Sequence, residues 1–129
     1  MNKVVHFEIP FDDEERAKKF YAKVFDWEIQ PMKEMSYVIV RSGPTDENYM
    51  PRETGFINGG MYKRDGVLAK NPVLVIEVES VDEHIKKIES GGGKVIREKT
   101  QVGDMGLYAQ ISDTEGNVIG IWQNLRKDS

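Results

Sequence analysis

From Val4 to Pro10, apolar and polar side chains alternate, which places Val5, Phe7 and Ile9 on one face of a predicted strand and His6 and Glu8 on the other. The period then changes. Ala17, Phe20, Tyr21 and Val24 recur at i, i+3, i+4 and i+7, so an amphipathic helix is expected with that face buried. Asp12 stands where its N-cap is expected, Glu15 completes the capping-box spacing, and Glu14 to Lys18 and Glu15 to Lys19 are i,i+4 ion pairs. Trp27 to Gln30, Tyr37 to Arg41 and about Phe56 to Lys63 read as strands. Between the last two, Ser42 to Thr54 carries Gly43-Pro44 and Pro51 and shows no apolar period. It predicts a long loop, of the kind used as a lid or binding segment, or else a mobile insert or dimer-contact loop.

The same order begins again at Pro72. Pro72 to Val78 is a strand with Val73, Val75 and Glu77 on one face and Leu74, Ile76 and Val78 on the other. Ser80 and Glu83 repeat the capping spacing ahead of a helix with Val81, Ile85 and Ile88 on one face, and Gly91-Gly92-Gly93 ends it. Lys94 to Arg97, Leu107 to Ser112 and Val118 to Asn124 follow as strands, the last two joined by the turn sequence Asp113-Thr114-Glu115-Gly116-Asn117. Each half is therefore strand, helix, strand, strand, strand.

His6 and Val73 open the two halves at an offset of 67 residues, and a half of about 60 residues buries little surface alone. The halves are expected to complete one another within a single domain spanning 1–129. The fold expected is α+β: two βαβββ modules, about 1–66 and 70–126, pairing into a curved, barrel-like mixed sheet with the helices outside and a cavity inside.

Composition narrows the function classes. Eighteen basic residues against 22 acidic ones give a net charge of −4, with no basic run longer than a pair, so nucleic acid is not an expected partner. The N-terminus shows no signal-like apolar region and no stretch approaches a membrane span, which points to a soluble, cytoplasmic protein. With no cysteine, disulfides, thiolate nucleophiles and Cys-based zinc sites are excluded.

Four features together resemble the vicinal oxygen chelate superfamily, the group of glyoxalase I, bleomycin-resistance proteins and extradiol dioxygenases. They are His6 fourteen residues before Phe20-Tyr21 in a strand-helix unit, the doubled βαβββ order, Gly92-Gly93-Lys94-Val95 after the second helix, and Asp113-x-Glu115-Gly116-Asn117 before the final strand. The resemblance implies a metal ligand on the first and last strand of each half. His6 matches the first such position, but Val73, Gly60 and Gly120 stand at the others, and none of their side chains can coordinate a cation. The usual four-ligand site is therefore not expected, and His6 is the one residue left for any divalent metal. His84, the only other imidazole, falls at the edge of the second helix's packed face.

The alternation also turns Glu77 inward, together with Tyr62 and Trp122, each two residues after its glycine. These three are the candidate ligand-binding residues, and His6 with Glu8 the candidate catalytic pair. An imidazole beside a carboxylate can move a proton, or the two can merely satisfy one another as buried polar groups. One reading is a protein that binds a small organic ligand without metal or other cofactor, as bleomycin-resistance relatives do, with cation-π and carboxylate contacts suiting a cationic ligand. The other is a lyase or isomerase related to lactoylglutathione lyase, or a dioxygenase, using His6 and Glu8 with a divalent metal. The resemblance also implies a homodimer.

Overall fold

The computed structural model describes residues 1–32, 37–48 and 50–126; Tyr49, in the expected loop, lies outside them. Among the described residues, eight strands and two helices make an α+β chain. It divides into two compact units, residues 6–65 with 70–72, and residues from 73 onward with 1–5, the start of the first strand, and 66–69.

The first unit is built from β1 (Val4–Phe11), α1 (Glu14–Phe25), β2 (Glu28–Met32), β3 (Tyr37–Arg41) and β4 (Asn58–Lys63). Its strands lie in the order β2-β3-β4-β1, with β1 and β4 parallel and the other pairs antiparallel. On one face Phe11, Val38, Val40 and Met61 are buried, with Phe7, Ile9 and Ile29 packed on them beneath Ala17 and Tyr21 of α1 and Trp27. The helix begins one residue later than the spacing predicts, because β1 runs on to Phe11. Asp13, not Asp12, is the N-cap, its carboxylate accepting from the Arg16 N–H at 3.0 Å, while Asp12 pairs with Arg64 at 3.1 Å on the surface. Asp13→Ala should cost about 1 kcal/mol in urea unfolding. Asp12→Ala should cost at most a few tenths, and equal losses would contradict this cap.

The buried face of α1 is narrower than its periodicity predicts. Phe20 and Val24 are 52% and 55% exposed, leaving Ala17 and Tyr21 as the packed pair. Trp27, just beyond the helix, stacks on Tyr21 with centroids 5.3 Å apart and the planes within 8°, and it also meets Phe7 at 5.5 Å. Lys18 binds both Glu14 and Glu15, at 3.2 and 2.7 Å, so Glu15 pairs at i+3 rather than with Lys19.

The segment expected as an irregular loop has internal structure. Thr45 and Pro51 form an antiparallel bridge, Arg52 N–H donates to Pro44 at 2.9 Å, and the Asp46 carboxylate accepts from the N–H groups of Asn48 and Met50. At its base Ser42 N–H donates to the Asn58 side-chain oxygen at 3.0 Å and the Ser42 hydroxyl to the Ile57 carbonyl at 2.6 Å.

The second unit contains β5 (Val73–Glu77), α2 (Val81–Ser90), β6 (Lys94–Val102), β7 (Gly106–Ser112) and β8 (Val118–Asn124), in the order β5-β8-β7-β6 with β5 and β8 parallel. Ser80 caps α2 as its spacing predicts, accepting from the Glu83 N–H at 3.2 Å. Val81, Ile85 and Ile88 pack on Val78, Ala109, Ile111 and Ile121. Leu74, expected toward the helix, is instead 52% exposed. Strand β6 continues to Val102 through two register shifts, well past Arg97. In the β7–β8 turn the Asp113 carboxylate accepts from Asn117 and from the Glu115 N–H, and these bonds hold its pKa below the ordinary value. No described helix is long and apolar enough to cross a membrane.

Candidate functional site

The alternation that sends Phe7, Ile9, Val38, Val40 and Met61 toward α1 leaves the intervening residues of the first unit on the opposite face. Strand register arranges that face in three rows. At one end Glu28 pairs with Arg41 and His6 with Asn58; Gln30, Ile39, Gly60 and Glu8 form the next row, and Met32, Tyr37, Tyr62 and Pro10 the last. Charge and amide groups therefore sit at one end and aromatic or apolar groups at the other. Arg41 is held in the polar end by Glu28 at 3.1 Å and Gln30 at 2.9 Å.

His6 and Glu8 are brought together as the sequence predicts, but not by direct contact. Tyr37 stands between them. Its hydroxyl oxygen lies 2.9 Å from His6 Nε2 and donates to Glu8 Oε2 at 3.0 Å. To reach them from β3, the ring crosses β4 at Gly60, where an added Cβ would fall 1.9 Å from Tyr37 Oη and 2.1 Å from its Cζ. A glycine is therefore required there by close approach. Its neighbour Gly59 does the same on the other face, where an added Cβ would fall 2.4 Å from the Phe7 ring. The Gly59-Gly60 pair thins β4 on both sides, admitting one aromatic ring to the core and one to the polar face.

Glu8 is only 5% exposed, and His6 is half-buried with its ring stacked near Tyr37 and Phe7. Burial disfavours the imidazolium and lowers the His6 pKa from its ordinary 6.5 to about 4, so the ring is neutral at pH 7. Tyr62 lies on this face beside Pro10 and Tyr37 but is buried to 5% exposure.

These residues do not fit the divalent cation that the resemblance implies. His6 Nε2 and Glu8 Oε2 are both bonded to the same phenol, and that phenol fills the volume into which a side chain at position 60 would project. Among the described residues no three or more His, Cys, Asp or Glu side chains are grouped to hold an ion.

The second unit repeats the device with different chemistry. Tyr108 lies over Gly120, where an added Cβ would meet the tyrosine ring and Val75 at 3.1 Å. There the tyrosine hydroxyl accepts from Gln110 at 2.8 Å, and Gln110 in turn accepts from the Ala69 N–H at 2.9 Å. Val73 and Val75 occupy the positions that His6 and Glu8 hold in the first unit, and both are buried in an apolar cluster with Ala69, Tyr108, Val118 and Trp122. Trp122 lies across Gly106 and is the register partner of Glu77, whose backbone also bonds to Asn2 and Lys3. The titratable constellation thus belongs to the first unit, and Trp122 packs partly buried against the apolar cluster of the second. His84 is a half-buried residue of α2 whose backbone N–H closes the first turn onto Ser80.

Tyr37 is the residue missed by sequence reasoning. The available signal was Gly60, since a glycine inside a strand often marks the close approach of another group.

Comparison with known proteins places these features in context. The family described as bleomycin resistance protein-like N-terminal matches residues 3–43, a stretch that includes His6, Glu8 and Tyr37. The CFP32 protein of Mycobacterium tuberculosis, whose name assigns it to the glyoxylases, is 27% identical over 124 residues, covering 86% of this chain and 41% of that protein. The chain thus spans under half the length of this curated relative. Among solved structures, methylmalonyl-CoA epimerase of Streptomyces coelicolor superimposes with a TM-score of 0.65 at 13% identity, covering 100% of this chain and 99% of that one. A glyoxalase/bleomycin resistance protein/dioxygenase superfamily member from Vibrio splendidus 12B01 gives 0.61 at 10% identity, covering 96% and 100%. At these identities the structural likeness speaks for the fold.

Proposed function

We infer that this chain, a member of the glyoxalase/bleomycin resistance protein/dioxygenase superfamily, binds a small organic molecule on the polar face of its first unit. The observation carrying this reading is the Tyr37 hydroxyl bonded to both His6 and Glu8 above Gly60. It concentrates an imidazole, a phenol and a carboxylate on one patch, with Arg41 toward the polar end and Tyr62 and Met32 toward the apolar end. A few convergent polar groups against an apolar surround is the usual composition of a small-molecule site.

The test is ligand-observed NMR with a library of small oxygenated compounds, on wild type and Tyr37→Phe. At least one compound should bind wild type and lose about tenfold in affinity in the variant, equivalent to roughly 1.4 kcal/mol. Binding of every hit equally to both proteins would overturn the assignment of this face.

A second reading, proton transfer on the bound molecule, is favoured by the unbroken hydrogen-bond chain from His6 through Tyr37 to Glu8. Under that reading Glu8→Gln abolishes turnover of a bound compound while its affinity changes little; turnover that survives Glu8→Gln removes it.

A further inference from the structure

We propose that Tyr37 is a positioning residue that fixes the tautomer of His6, so that this site offers its ligand a bare Nδ1 lone pair and selects molecules that present a hydrogen-bond donor there. Counting the protons shared by the three groups fixes the tautomer. A phenol has a single hydrogen, and in this structure it is given to Glu8 Oε2 at 3.0 Å. With Glu8 as the acceptor of that bond, no hydrogen comes back to the phenol from it. The 2.9 Å approach of His6 Nε2 to the same phenolic oxygen can then be a hydrogen bond only if Nε2 carries a hydrogen and donates it. In a neutral imidazole, one protonated nitrogen leaves the other as an acceptor. Nδ1 is that nitrogen. It has no hydrogen-bond partner among the described residues, and His6, although buried enough to stay neutral, keeps part of its surface exposed.

The geometry is enforced rather than incidental. Tyr37 holds its place because Gly60 has no side chain, and Glu8 sits opposite Gly60 in the β1–β4 register, two residues along the same strand face from His6. A ligand reaching His6 therefore meets an acceptor. Compounds with an N–H, an O–H or a polarised C–H can complete the chain, whereas compounds carrying only acceptor atoms find no complement at this ring. The ligand class rests on the proposed function; the tautomer does not, since it is a property of the free protein.

The chain contains two histidines, His6 and His84, which makes a direct reading practical. Long-range proton–nitrogen correlation spectra of the ¹⁵N-labelled protein at pH 7 report which ring nitrogen bears hydrogen, with His84→Gln assigning the two signals. Wild-type His6 should show a single Nε2–H form. In Tyr37→Phe the same ring should show a mixture of both tautomers, while His84 stays as it was. A role for Tyr37 in packing alone would leave the His6 pattern unchanged, and that result overturns the proposal. So does an Nδ1–H form in wild type, which needs no variant to fold. A His6 pattern as expected, together with no compound bound in the library screen, would retain the tautomer and defeat the ligand-binding reading separately.

Discussion

Gly60→Ala should destabilise the protein by on the order of 3 kcal/mol, combining the overpacking of a close contact with the loss of the Tyr37 hydrogen bonds. The new Cβ would fall 1.9 Å from Tyr37 Oη, far inside van der Waals contact, so the ring has to leave its place between His6 and Glu8. The effect should depend on the tyrosine. In a Tyr37→Ala background the space above position 60 is already open, and the same Gly60→Ala change should cost well under 1 kcal/mol. Urea unfolding of the four proteins in this cycle checks the expectation. An equal cost in both backgrounds would mean that Gly60 is needed for its backbone and not for the ring above it.

The second large effect concerns pH. His6 takes up a proton near its ordinary 6.5 when unfolded but only at about 4 when folded, because burial disfavours the cation. As pH falls from 6.5 toward 4, the unfolded chain therefore binds the additional proton, and stability is lost through that window while remaining constant above it. The shift corresponds to at most about 3 kcal/mol. The ionisable groups on the ring's own hydrogen-bond chain are Tyr37 and Glu8. Other carboxylates also respond to acid, so the quantity to follow is the difference between wild type and His6→Gln, in which those contributions cancel. The difference should decline from pH 6.5 to pH 4 at the expense of wild type; parallel curves would show that His6 is not held neutral by burial.

Much of the fold was legible because periodicity and capping are local. The alternation on β1, the Val81-Ile85-Ile88 face of α2 and the Ser80 cap follow from sequence spacing, and each appears where that spacing puts it. Where the expectation failed, neighbouring packing or the length of the preceding strand outweighed the local spacing. Phe20 and Val24 fit a helical stripe, but both stay about half exposed while Ala17 and Tyr21 carry the packing and Trp27 stacks on Tyr21. Asp12 fits a cap, but the length of β1 moves the cap to Asp13.

The site shows the same division. His6 and Glu8 share a face because strands alternate, which the sequence alone makes plain. Their link does not follow from any local rule. Tyr37 is 29 residues from Glu8 and 31 from His6, and it reaches both only because β3, β4 and β1 are neighbours in a register that puts a glycine in its path. Read as a missing metal ligand, Gly60 suggested a site that had lost its chemistry. In the fold it is the opening through which a phenol joins an imidazole to a carboxylate.

That bridge is tested most directly by a double-mutant cycle of Tyr37→Phe and Glu8→Ala, which removes the donor or the acceptor, followed by equilibrium unfolding at pH 7. A phenol hydrogen-bonded to a buried carboxylate predicts a coupling energy of roughly 1.5–3 kcal/mol. Additivity of the two substitutions within about 0.5 kcal/mol would contradict it.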